Sequence, residues 1–229
     1  MHPLDNVIWK ALTTRHSPFA MGFGSAQRFI AEVSPLSGFE QNNDDGYHSL
    51  AALAGNDTIA LFLDTPYEPR LRWESPGGAP LLQMVCQNGS ASRHPPSSQH
   101  DLIELGLQDS PDMLELTKLT KPGPFGPRTH ELGTYLGIRR EGKLVAMAGE
   151  RLKVPGYTEV SAVCTHPHHL GNGYAGVLMN EVMRRIRQRG ETPFLHVRKD
   201  NARAIALYER LGFRTRVIQH YAILRRVLS

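Results

Sequence analysis

Two cysteines, Cys86 and Cys164, are all that the 229 residues contain. They lie far apart and without metal-ligand spacing. Neither a disulfide framework nor a cysteine-built metal centre is expected, and a reducing cytoplasm suits them. Long apolar runs are missing as well, since no stretch approaches the roughly 20 residues that cross a bilayer. The opening MHPLDNVIWKALTTRH has neither a basic n-region nor an apolar h-region, so no signal peptide is expected. Aromatic residues make up 7% of the chain and do not interleave with its basic cluster, which counts against nucleic-acid binding. What remains, with hydrophobic content of 40% and charged content of 21%, is an ordinary globular composition for one or two domains.

The charge is unevenly spread. Residues 180–229 hold twelve Lys/Arg against four Asp/Glu, although the whole chain carries only +4, so the first 179 residues are net acidic. A basic end attracts a polyanionic ligand. Part of it has a plainer reading, because Arg184, Arg185, Arg187 and Arg189 also complement a helix C-terminus.

Along the first 86 residues the pattern is weak. Leu4, Ile8, Ala11 and Leu12 suggest a short amphipathic helix, and 31–33, 59–63 and 81–86 read as strands. Asp44-Asp45-Gly46 reads as a surface turn. The stretch 87–100, QNGSASRHPPSSQH, has no apolar periodicity and is expected to be a flexible linker between residues 1–86 and a domain at 101–229. That division predicts that a fragment of 99–229 folds alone.

From residue 101 the signals sharpen. A strand at 102–105 precedes Asp109-Ser110-Pro111, a helix start with a capping side chain before Pro. Residues 135–138 and 144–148 flank the turn Arg140-Glu141-Gly142-Lys143 as a hairpin, and 160–164 form the next strand. Tyr174, Val177, Leu178, Val182 and Ile186 recur at helical spacing until Gly190. A strand at 194–197, a helix at 201–211 and a strand at 217–224 complete the order β-α-β-β-β-α-β-α-β. It describes a mixed α/β sheet flanked by helices.

Between strand 160–164 and the following helix lies HPHHLGNGYA. Glycines there let the backbone come close to a ligand, and the helix N-terminus offers unpaired N–H groups and a positive dipole end, which suits an anion. The later helix carries Asn201, Ala204 and Tyr208 at spacings of three and four, along one face, and closes with Gly212-Phe213.

These two motifs together, HPHHLGNGYA and NARAIALYERLGF, resemble the GNAT superfamily of acetyl-CoA-dependent N-acetyltransferases, over about residues 100–229. The hairpin TYLGIRREGKLVAMAGERL is similar to the family's central strands. The resemblance implies a mostly antiparallel GNAT sheet flanked by helices. The additional N-terminal α/β part is open to reading as a degenerate second copy. It implies acetyl-CoA as co-substrate, its pyrophosphate on Leu170, Gly171, Asn172, Gly173, Tyr174 and Ala175. Its pantetheine arm would pair with Val163, Cys164 and Thr165 and touch Asn201 and Ala204. Leu170 departs from the family, whose loop opens with Gln or Arg. An ordinary N-cap is the other reading of Asn201.

The implied reaction is direct attack of a neutral amine on the thioester, with Tyr208 matching the family's acid for the leaving thiolate. Glu150 and Glu159, on strands expected to flank the cleft, are candidate general bases. Cys164 reads as core packing rather than an acyl carrier, and His166, His168 and His169 read as loop residues, so no metal is expected. The expected acceptor is an amine of a small molecule, amino acid or peptide, with no membrane or nucleic-acid partner, in a cytoplasmic monomer or homodimer. A GNAT-fold module that senses CoA without turnover is the alternative. Gly173→Glu puts a negative side chain where the pyrophosphate is expected. Calorimetry should show CoA binding abolished with the circular dichroism spectrum unchanged, and wild-type affinity would sink the assignment of this loop.

Overall fold

The computed structural model describes residues 2–70, 72–87 and 101–227; of the linker expected at 87–100, all but Gln87 lies outside them. Helix α1 (Val7–Thr13) is followed by strands β1 (Ala20–Phe23), β2 (Ala26–Phe29) and β3 (Ser37–Phe39), which form a small antiparallel sheet. Helix α2 (Asp44–Ala54) and strands β4 (Ile59–Leu63) and β5 (Trp73–Cys86) complete the N-terminal half. Then come β6 (Ile103–Leu105), α3 (Ser110–Thr120), β7 (Tyr135–Arg140), β8 (Lys143–Val154), β9 (Tyr157–Thr165) and α4 (Tyr174–Gln188). β10 (Thr192–Arg198), α5 (Ala202–Arg210) and β11 (Phe213–Arg226) close the chain.

The C-terminal half keeps the order read from the sequence, and the misreadings fall in the N-terminal half. Asp44-Asp45-Gly46 is not a free turn but the first turn of α2. Asn43 caps it by accepting a hydrogen bond from Gly46 N at 2.9 Å, and the two aspartates favour the positive helix end. Residues 31–33 form a turn rather than a strand; Val33 is buried against α1 without any strand pairing. Strand β5 is more than twice the length that residues 81–86 suggest, because SPGGAP, composed like a loop, pairs with β11 through Ala79↔Tyr221 and Gly78↔Ala222. Glycine is needed at 78, where a Cβ would lie 2.3 Å from Tyr221 O.

Eight strands form one sheet in the order β4-β11-β5-β10-β9-β8-β7-β6. All neighbours are antiparallel except β9 and β10. Leu178, Met179, Val182, Met183 and Ile186 of α4 bury one stripe on this sheet, each contributing about 1.5–3 kcal/mol of apolar burial. Adjacent residues of β10 serve opposite faces: Leu195 joins the α4 cluster and Phe194 joins Leu4, Ile8 and Leu12 around α1. Met113 and Leu116 of α3 pack with Tyr135, Met147 and Cys164.

The N-terminal half is thus built into the sheet. β5 lies between β10 and β11, and β4 pairs the far side of β11. The fragment 99–229 keeps the loop and helix motifs but leaves the β5-facing edges of β10 and β11 unpaired, an aggregation hazard. The expectation for an isolated C-terminal half therefore reverses: circular dichroism and gel filtration should show it unfolded or aggregated while the full chain is monodisperse. A folded, monomeric fragment would show that β10 and β11 can close the sheet without β5.

Candidate active site

The site begins where two strands part. β9 and β10 pair in parallel only at Thr192↔Tyr157, Pro193↔Thr158 and Phe194↔Glu159. Beyond that, β10 pairs with β5 alone, and Val163, Cys164 and Thr165 face an opening with their β10-side backbone unpaired. Beside the opening, Ala162 holds φ +51°, in the left-handed region that is costly for a residue with a Cβ, where the β8–β9 register slips. A cavity of about 980 Å³ runs along the opening.

The glycine loop closes one end. Gly171 (φ +88°) and Gly173 (φ +75°) take backbone conformations that disfavour other residues, and a Cβ on either would meet only open space. Gly173 is the N-cap of α4 and offers no side-chain cap, so the N–H groups of the first turn face the cavity with no partner from that residue. Leu170, Gly171, Gly173, Tyr174 and Ala175 all line the cavity, and Leu170 is half exposed. Asn172 does not line it; its side-chain amide donates to His169 O at 3.0 Å and braces the turn instead.

The second motif lies across the opening. Asn201 Oδ1 accepts from Ala204 N at 3.1 Å, which makes Asn201 an N-cap, and the side-chain N–H₂ remains as a donor on the cavity side. Ala204 and Tyr208 line the same wall. Burial pushes the Tyr208 phenol up to about 12, and its hydroxyl has no hydrogen-bond partner among the described residues. It is therefore a protonated donor that the fold leaves unused.

The two candidate bases do not fit that role. Glu159 is buried, and Arg151 Nε and Nη2 donate to its two oxygens at 2.8 Å each, while His196 Nδ1 lies 2.7 Å away. Burial alone would raise its pKa, but the Arg151 charge and hydrogen bonds, with those of His196, outweigh burial and hold it down at about 2. Such a carboxylate is a poor proton acceptor. Glu150 is equally buried, off the cavity, and paired with Lys153 at 2.8 Å and Arg189 at 2.7 Å. Strand alternation alone could not reveal that both side chains point into ion pairs.

Residues the sequence did not single out complete the cavity. Arg151 and His196 line it, as do Phe62 of β4, Ala79 and Leu81 of β5 and Tyr221 of β11. Their signal was absent because most belong to strands that meet only in the folded sheet. Lys121–Pro124, from the loop after α3, forms the opposite rim. Burial pushes the Cys164 thiol up to about 11, against any thiolate role. Among the described residues no group of three or more His, Cys, Asp or Glu side chains is placed to hold a metal ion. In α4, Arg184, Arg185 and Arg189 are paired with Glu181, Glu104 and Glu150, as a solvated helix face predicts. Lys121, Arg203 and Arg210 instead line the cavity, as does Arg198, which is paired with Asp200 at 2.6 Å.

A sheet split at one parallel pair, with a glycine turn and a bare helix start at the split, defines a mixed α/β protein with a long cavity along the split. A protein-family model described as FR47-like protein matches residues 135–223. A GNAT-family structure from Novosphingobium aromaticivorans is 35% identical, with both chains covered in full and a TM-score of 0.85. Two more distant structures share the fold. A GCN5-related N-acetyltransferase from Kribbella flavida has 16% identity, coverage of 98% and 97%, and a TM-score of 0.60. A tandem GNAT protein of clavulanic acid biosynthesis has 12% identity, coverage of 90% and 80%, and a TM-score of 0.56. No curated protein matches. The chain belongs to the GNAT family of acetyltransferases.

The buried groups make stability pH-dependent. The Glu159 pKa is depressed from 4.5 to about 2, so its contribution is complete above 4.5 and is lost as pH falls towards 2. Burial lowers His16 from 6.5 to about 4, so its neutral form stabilises the fold above 6.5 and that contribution is lost as pH falls towards 4. The melting temperature should therefore begin to drop below about pH 6.5 and fall further below pH 4.5. Glu159→Gln, which strands the buried Arg151 charge, should cost about 3–5 kcal/mol at neutral pH and flatten the lower part of that profile. A variant as stable as wild type in a denaturant titration would remove the ion pair from the account.

Proposed function

We propose that this chain transfers an acetyl group from acetyl-CoA to a primary amine by direct attack on the thioester. The observation that carries the reading is the cavity itself. It joins the unpaired edge of 163–165, the bare N-terminus of α4 and the free hydroxyl of Tyr208 in one continuous space. The edge of β9 offers N–H and C=O groups to an extended amide-bearing arm, as a further strand would. The turn 170–175 offers N–H groups to a pyrophosphate, with Asn172 bracing it from behind. Asn201, while capping α5, keeps its side-chain N–H₂ for the arm.

In the transfer, the amine nitrogen forms a bond to the thioester carbonyl carbon and the C–S bond breaks. Tyr208 gives its proton to the departing sulfur, and the nitrogen gives up one proton to solvent, which restores Tyr208. The raised pKa of Tyr208 suits an acid that must stay protonated at neutral pH until a thiolate forms beside it. With Glu150 and Glu159 locked in ion pairs, the amine is expected to arrive already neutral. The rate should then rise with pH as more of the acceptor is deprotonated.

Tyr208→Phe separates this reading from a CoA sensor that does not turn over. It preserves the ring that packs on Phe213, so CoA affinity in calorimetry should hold within a few-fold. Acetylation of amines, followed by release of free thiol, should slow about a hundredfold or more. Full activity would reduce Tyr208 to packing, and joint loss of binding and turnover would make it a ligand-holding residue.

A further inference from the structure

At the end of the cavity away from the glycine loop, the fold leaves hydrogen-bond donors unused. Arg151 spends Nε and Nη2 on Glu159, and Nη1 has no partner among the described residues. Its side chain is only 8% exposed, and that exposure opens onto the cavity it lines. The guanidinium lies 5.9 Å from the centre of the Phe62 ring, whose other neighbours are His196 at 4.5 Å and Tyr221 at 6.0 Å. Tyr221 lines the cavity with a hydroxyl that has no partner among the described residues. The Tyr135 hydroxyl is fully buried and unpartnered. The Arg151 charge bears on both phenols.

A buried donor left unsatisfied costs about 1–3 kcal/mol, which applies to the Tyr135 hydroxyl, while Arg151 Nη1 and the Tyr221 hydroxyl remain unused at the cavity wall. Glu159 cannot answer them, because both of its oxygens already face Arg151 and His196. The same bidentate pair fixes the guanidinium plane, so Nη1 is held in place before any ligand arrives.

The cavity wall decides what kind of ligand fits. Its charged lining residues are Lys121, Arg151, Arg198, Arg203 and Arg210, with no Asp or Glu among the described ones. A polyamine or other multiply cationic acceptor finds no counter-charge there. Resting on the acetyl-transfer reading above, we infer that Arg151 and Tyr221 form a subsite for the carboxylate of an amino-acid-like acceptor. That contact holds the acceptor by its acid group and leaves its amine free to reach the thioester. Phe62, Ala79 and Leu81, contributed by the N-terminal half, then border the acceptor side chain.

The test uses the full-length protein saturated with CoA, which cannot turn over. Calorimetry compares the N-acetyl derivatives of the twenty common amino acids with their carboxamides, as mimics of the acetylated product. At least one acid should bind tenfold or more tightly than its amide. Arg151→Lys should erase that preference, since a flexible point-charge ammonium lacks the planar fork that binds both Glu159 oxygens while holding a separate N–H towards the cavity. Tyr221→Phe leaves the ion pair intact and should weaken the acid several-fold without changing the amide or CoA. No preference for any acid, whether from equal binding or from none, would overturn the subsite, as would a Tyr221→Phe protein with wild-type discrimination. Failure to take up CoA would overturn the coenzyme reading instead. The acids and amides are then compared on the free protein, where the subsite still requires the same preference.

Discussion

Three strands are held together at one point by a single carboxylate. Glu159 sits at the last paired position of β9 and β10, opposite Phe194. From there it binds Arg151 on β8 through two hydrogen bonds and His196 on β10 through a third. Putting a carboxylate and a guanidinium out of reach of water is expensive, and an apolar trio of similar volume is often as stable. What the ion pair adds is direction. It fixes where the strands are still joined, and one residue later they part. The opening that forms the site depends on that tie.

A parallel pair that stops after three residues leaves a strand edge in need of a partner on its other side. β5 supplies it, running antiparallel along β10 from Val85 to Leu81 and along nearly all of β11. The N-terminal half therefore does two things for the C-terminal motifs. It keeps β10 away from β9 by pairing it elsewhere, and it walls the deep end of the cavity with Phe62, Ala79 and Leu81. Gln83 of β5 extends the buried polar cluster, contacting His196, Gln219 and the carbonyl of Leu4. The two halves share hydrogen bonds and core, and both line the same cavity.

The arginines divide by surroundings rather than by sequence. Arg184 and Arg185 of α4, and Arg189 just after it, lie within reach of acidic partners on the helix or on the strands beneath it, and their charge is spent locally. Lys121, Arg203 and Arg210 stand around the cavity instead, where their field adds to that of the α4 N-terminus. Arg151 is the one buried inside it. Such a lining carries positive charge at both ends of the cavity, beside the glycine turn and at Arg151.

The sequence by itself determined the local features. The turn 170–175, the capped helix bearing Asn201 and Tyr208, and the order of elements after residue 101 all rest on glycines, caps and periodicities that act within a few residues. The same local signals fail where long-range pairing decides. SPGGAP reads as a loop, yet it is a strand because β11 lies beside it with room for Gly78. Glu150 and Glu159 read as carboxylates beside a cleft, yet each is neutralised by a base that packing brings to it: Arg189 from the end of α4, and Arg151 from eight residues upstream across the hairpin. Only the tertiary structure decided that the halves form one sheet and that Phe62, Arg151, His196 and Tyr221 meet. The reason is physical: strand partners and buried charge pairs are chosen by the free energy of the whole sheet, which no window of neighbouring residues contains.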